Sequence, residues 1–87
     1  MALHHKLATK ILKAAGESHP NNIQSFSELQ KASGMRDKPW DEDWRLALEG
    51  LLREGMIAID HPLRSGADQK LQGFIGLRIT DAGRQAA

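Results

Sequence analysis

The sequence predicts an α+β domain, mainly helical, in which a three-helix core is followed by a C-terminal β-hairpin. Three observations carry this expectation. Apolar residues recur at helical spacing in three stretches, over 3–16, from Phe26 to Gly34, and over 40–54. Each stretch is closed by a glycine (Gly16, Gly34, Gly55), the residue that most readily ends a helix. Beyond Gly55, "MIAID" and "FIGLRIT" read as two strands around a polar, turn-rich segment, the pattern of an antiparallel hairpin with a long tip.

The first helix is drawn by Leu3, Leu7, Ile11 and Ala14, with Ala8, Leu12 and Ala15 widening the stripe. Lys6, Lys10 and Lys13 fall along one edge of its polar face, either as a solvated ridge or as a phosphate-contacting one. "GESHPNN" is turn chemistry, and Ile23 suits a very short strand. Ser25 and Glu28 have the spacing of a capping box, in which hydroxyl and carboxylate each satisfy a free backbone N–H. Phe26, Leu29 and Ala32 then face inward, and Met35 packs back beneath Gly34. In the third helix Trp40, Trp44, Ala47, Leu48, Leu51 and Leu52 share one side of the wheel. Glu42, Arg45, Leu46, Glu49, Gly50 and Arg53 share the other. "DAGRQAA" closes the chain as a last helical turn or a frayed tail. The expected core is Leu7, Ile11, Leu29, Leu48 and Leu51, with Trp44 sealing one side.

The totals narrow the function classes. Eighty-seven residues make one small domain, 1–87, with no linker or repeat inside it. There is no cysteine, which removes disulfides, thiolate metal sites and cysteine nucleophiles. No apolar run is long enough for a bilayer, and lysines interrupt the N-terminal stretch that a signal core would need, so a cytoplasmic protein without membrane contact is expected. The net charge of +1 is too small for a general polyanion binder, so any nucleic-acid argument rests on where the charges sit.

Three phrases carry a family resemblance. "FSELQKASGM", "LEGLLREGMIAI" and "LRITDAGR" resemble the second helix, the recognition helix with its glycine exit, and the closing segment of the winged helix-turn-helix domains of MarR-like and PadR-like bacterial regulators. The resemblance spans nearly the whole chain, through short phrases. It implies a winged-helix fold, a double-stranded DNA partner and a role in transcription regulation. The chain departs from the pattern in the long stretch "MRDKPWDED" before the third helix, and in having no room for the flanking helices with which MarR-like proteins dimerise. A homodimer is still expected, through another surface such as the first helix, because two half-sites add their contacts.

In such a fold the third helix enters the major groove and the wing meets the backbone. The residues placed for DNA are then Arg36 and Lys38 before the helix, Arg45 on it, and Arg64 and Lys70 beside Gly66 at the wing tip. Opposing this, residues 40–54 hold two arginines against five carboxylates, a net −3, where affinity depends on neutralising phosphate. Asp41, Glu42 and Asp43 are accounted for by a helix N-terminus, whose free N–H groups and dipole favour negative charge. Arg45, Glu49 and Arg53 at i, i+4 and i+8 equally describe an intrahelical charge ladder. The alternative function is therefore a protein-interaction module. In it a small groove at Gly50 beside Leu46, rimmed by Glu42, Glu49 and Arg53, receives a partner's side chain.

No catalytic constellation emerges, and an enzyme is not expected. His4 and His5 are adjacent and diverge on a helix, while His19 and His61 precede prolines, so no metal-ligand spacing exists and neither metal nor cofactor is expected. Asp41 and Asp43 lie on different helical faces and make a poor acid–base pair.

Overall fold

The computed structural model describes the backbone of residues 3–86 and the side chains of residues 6–86. The expectations for the side chains of Leu3, His4 and His5 fall outside the described residues. The chain is an α+β fold: α1 (Leu3–Ser18), α2 (Phe26–Ala32), α3 (Glu42–Arg53), β1 (Ile57–Ser65), β2 (Lys70–Ile79) and α4 (Asp81–Ala86).

Local chemistry sets the helix limits. α1 runs two residues past the expected stop, because Gly16 lies inside its last turn with room for only an ordinary contact to Ile79 Cδ1. At α2, Ser25 Oγ accepts from the Glu28 N–H at 3.4 Å, and the Glu28 carboxylate accepts from the Gln24 N–H at 2.8 Å. The reciprocal cap thus reaches one residue further back than the usual box, in which the carboxylate takes the N-cap's own N–H. α2 ends in a Schellman turn: Gly34 has φ +74°, its N–H donates to Lys31 O, and the Met35 N–H donates to Gln30 O. α3 ends the same way, with Gly55 at φ +72° and the Met56 N–H donating to Leu51 O.

α3 begins at Glu42 rather than at Trp40. Asp41 is its N-cap, extended at φ −151°, and its carboxylate accepts from the Trp44 N–H at 3.1 Å. Trp40 precedes the helix and stacks edge-on against Phe26, which meets Trp44 in the same manner, with centroids 5.2 and 5.0 Å apart. Trp44 is fully buried, deeper than a residue sealing one side, and its indole N–H donates to Lys38 O.

The hairpin corrects the expected long tip. β1 continues through "HPLRS" and β2 starts at Lys70, so only Gly66–Gln69 connects them. The outer half is exposed on both faces of β1 and shows no apolar alternation, so a reading by hydrophobic period cannot find it. Pro62 lacks an N–H and is tolerated because the outer edge of β1 has no paired strand among the described residues. The register runs from Ile57↔Ile79 to Leu63↔Gly73, then slips by one at a bulge before Arg64↔Leu71. Gly76 (φ +79°) donates to Gln24 O, and Ile23 bridges Leu77 in both directions, which ties the α1–α2 connection to the base of β2.

α4 is clasped against the α3 exit. The Thr80 hydroxyl donates to Gly55 O at 2.6 Å and accepts from the Gly83 N–H at 3.1 Å. The Thr80 N–H donates to Met56 O, and Gly83 lies directly against that same carbonyl. All the expected core residues are buried. They join Leu12, Ile23, Ile57, Leu71, Phe74, Leu77 and Ile79 in one cluster between the helices and the inner face of the hairpin. No polar side chain is buried among the described residues. None of the described helices is long and apolar enough to cross a membrane.

Candidate functional site

Two surfaces meet along α3: a charged side facing the hairpin and an apolar groove facing α1. On the charged side, nearly every cation expected to face DNA already holds a carboxylate. Lys38 Nζ lies 2.7 Å from Asp41 and 3.3 Å from Asp43. Its hydrogen bond to Asp41 raises the Lys38 pKa against the opposing effect of desolvation, and holds the Asp41 carboxyl below its ordinary value. Arg45 bridges Glu42 at 2.8 Å and Glu49 at 3.0 Å, and these bonds, Glu42 first, raise its pKa further.

Glu49 is the hub of this side. Burial pushes its carboxyl up, but the Arg64 and Arg45 guanidiniums together outweigh that and hold it low. Arg64 reaches Glu49 at 3.0 Å across from the hairpin, and also donates to Gln69 O, bracing the turn in which Gly66 (φ +78°) and Gln69 (φ +53°) take left-handed conformations. Lys70 lies 3.7 Å from Asp68 at the exposed tip. Of the five residues expected at DNA, Arg36 alone has no ion pair among the described residues.

The apolar groove runs along the flank of α3 that faces α1 and has a volume of about 460 Å³. Ala8 and Leu12 of α1, Leu46, Ala47, Gly50 and Leu51 of α3, and Met56 form most of its wall. Thr9, Glu54 and Ala86 complete its lining. Leu46 is 38% exposed, and the space above Gly50 is open, with nothing within 4 Å of where a Cβ would stand.

The expected groove beside Leu46 and Gly50 therefore has different walls from those read off a helical wheel. Glu42 and Glu49 are held by Arg45 and Arg64 and do not line it, and Arg53 is exposed without lining it. α1 supplies the missing wall. Its contribution was legible in part, because Ala8 and Leu12 had widened the apolar stripe beyond what a single packing face uses. The roles of Met56 and Ala86 depend on the α4 clasp and had no periodic signal.

No group of three or more His, Asp or Glu side chains among the described residues is arranged to hold a metal ion. Comparison with protein-family models, curated proteins and solved structures finds no match to this chain, so its own geometry carries the functional argument.

Proposed function

We propose that this chain is a winged-helix-type, non-enzymatic domain that acts as a protein-interaction module, receiving a partner's apolar side chains in the groove between α1 and α3. One observation carries the reading. Glu42, Arg45 and Glu49 on the outward side of α3 are spent on internal ion pairs, while the adjoining flank toward α1 leaves Leu46 exposed beside an open, apolar hollow. Interface cores favour apolar groups and deplete charge, which matches the groove and not the charged side.

Leu46→Asp puts a carboxylate into that hollow without touching the core, so the fold should survive while partner capture or self-association is lost. The readouts are circular dichroism and a pull-down or sedimentation experiment on the same material. A Leu46→Asp protein that keeps its partner at unchanged affinity removes the groove from the proposal.

The second reading is DNA binding by the same fold, in the role of a transcription regulator. It is supported by the helix–helix–hairpin order and by the exposure of the wing pairs. Arg64 and Lys70 side chains are 35% and 51% exposed, and exposed ion pairs contribute only about 0–1 kcal/mol each, so phosphate can displace their carboxylates at small cost. In this reading Arg36, Lys38, Arg64 and Lys70 meet phosphate and Arg45 meets a base edge. Arg64→Glu with Lys70→Glu then weakens duplex binding strongly, and unchanged binding removes the wing from the DNA reading.

A further inference from the structure

Of the twelve lysines and arginines, Lys38, Arg45, Arg64, Lys70, Arg78 and Arg84 enter ion pairs. Lys6, Lys10, Lys13, Lys31, Arg36 and Arg53 enter none among the described residues. Four of these six gather on one face. Lys6, Lys10 and Lys13 share one edge of α1, and Lys10 Nζ reaches across to Met35 Sδ at 3.7 Å, immediately before Arg36. Lys10 and Lys13 line a hollow together with Gly34 at the end of α2. The acidic groups on this face are Glu17, in the same hollow, and Asp37 and Asp41, which line a second hollow with Arg36, Asp41 being held there by Lys38. Four cations thus stand with two carboxylates, Glu17 and Asp37, that also enter no ion pair among the described residues, on a surface away from the groove that ends at the Lys38–Asp41 pair.

We infer that this α1–α2 face binds the phosphate backbone of a nucleic-acid duplex, independently of the groove. Lys6 to Lys13 span about 10 Å along the helix axis. That is the axial run of about three phosphates on one strand. A phosphate row is favoured over an acidic protein because lysine is depleted in protein interface cores, and this face offers no aromatic or large apolar anchor around which such a core forms. A duplex is favoured over a single strand because Trp44 is buried and Phe26 and Trp40 are partly buried in edge-on contacts, and none of these rings belongs to the lysine ridge where an unpaired base would stack. The contacts reach backbone only, so the binding carries no base preference and lets a partner held in the groove be delivered to a duplex.

The experiment is fluorescence anisotropy of labelled random-sequence DNA and RNA duplexes titrated with the intact chain across a salt series. Binding to either duplex at low salt is expected, with a slope of log K against log salt of about −3 for three to four neutralised phosphates. Lys10→Glu with Lys13→Glu should weaken binding at least about tenfold and flatten the slope by about 2. The charge-matched pair Lys31→Glu with Arg53→Glu should change it far less. Circular dichroism controls for folding, and Lys10→Gln with Lys13→Gln serves if the reversed charges unfold α1.

The inference is overturned by no duplex binding at low salt, by equal loss in the charge-matched pair, or by equal competition by polyglutamate at matched charge. Loss on Arg64→Glu with Lys70→Glu, but not on the α1 pair, overturns it in favour of the wing. Leu46→Asp leaves this binding unchanged, so failure here and failure of the groove reading are separate results.

Discussion

Adding one methyl group at two helical glycines should move stability in opposite directions, because the structure gives the two sites opposite surroundings. A Cβ at Gly83 would overlap the Met56 carbonyl oxygen and stand 2.8 Å from Ile79 Cγ1. The first of these is backbone and cannot rotate away. Gly83→Ala therefore either shifts Met56 or lifts α4 off the α3 exit, with loss of the two Thr80 hydroxyl bonds to Gly55 O and the Gly83 N–H. Overpacking of this kind costs about 1–3 kcal/mol. In a domain of this size each kcal/mol moves the midpoint by roughly 4–8 °C, so Tm should fall by about 5–20 °C. Gly50 lies mid-helix with open space where its Cβ would stand, and Gly50→Ala should gain up to about 1 kcal/mol from helix propensity, raising Tm by about 4–8 °C. Thermal unfolding followed by circular dichroism reads both. Thr80→Val removes the same clasp, so combining it with Gly83→Ala should cost much less than the sum of the singles. Full additivity, or a Gly83→Ala protein as stable as the parent, would refute the clasp.

Other consequences concern the α3 N-terminus and acid. Asp41→Ala removes the cap on the Trp44 N–H and should cost about 1 kcal/mol in denaturant unfolding, whereas Asp41→Asn keeps a capping oxygen and should cost less. Asp41 and Glu49 have folded pKa values below their ordinary values of 3.8 and 4.5. Above those values the folded and unfolded chains are both ionised at these groups, and the stabilisation is fully present. It is lost as pH falls through the lower folded values, because the unfolded chain takes up the protons first. Tm should therefore be flat through neutral pH and decline below about pH 4, with a shallower decline in Asp41→Asn. Leu48→Ala, at a fully buried site, should cost about 2–5 kcal/mol and calibrates the other unfolding measurements.

The helical half of the fold was legible because three signals agree there. Period, cap and glycine exit all point to the same limits at Ser25–Gly34 and near Asp41–Gly55. The hairpin was legible only at its base, where Ile57 and Ile79 face the core and apolar alternation has a cause. From His61 outward, β1 packs against no core, and neither Pro62 nor the polar "HPLRS" announces a strand. Gly16 misled for the opposite reason: a glycine in a helix signals an end only when its conformation turns left-handed, and at Gly16 it does not. The candidate site divides in the same way. Leu46 and Gly50 could be found on one helix, but their opposing wall comes from α1 and Met56, whose approach is set by tertiary packing.

The charges teach a sharper point about reading function from composition. Arg45 and Arg64 are the residue type and the positions that a DNA-reading helix and wing would need, and the sequence already offers Arg45 an intrahelical ladder but gives Arg64 no sign of a partner on α3. In the fold both are bound to Glu49, and Arg45 also to Glu42, so two cations stand against two carboxylates and their field at a distance is largely cancelled. Glu49 is in turn kept ionised, against its partial burial, by those same two groups. The lysines of α1 carry no motif, and on a helical wheel they read as a solvated ridge or as a phosphate-contacting one. Yet each carboxylate spent on α3 and the wing is one not available to α1, and a net charge of +1 hides a molecule with an internally neutralised side and an uncompensated one. Which side keeps cations without an ion pair is therefore decided by pairing, which only the fold specifies. The Lys10 and Lys13 substitutions test that inference directly, because they alter the uncompensated side while leaving every ion pair of the other intact.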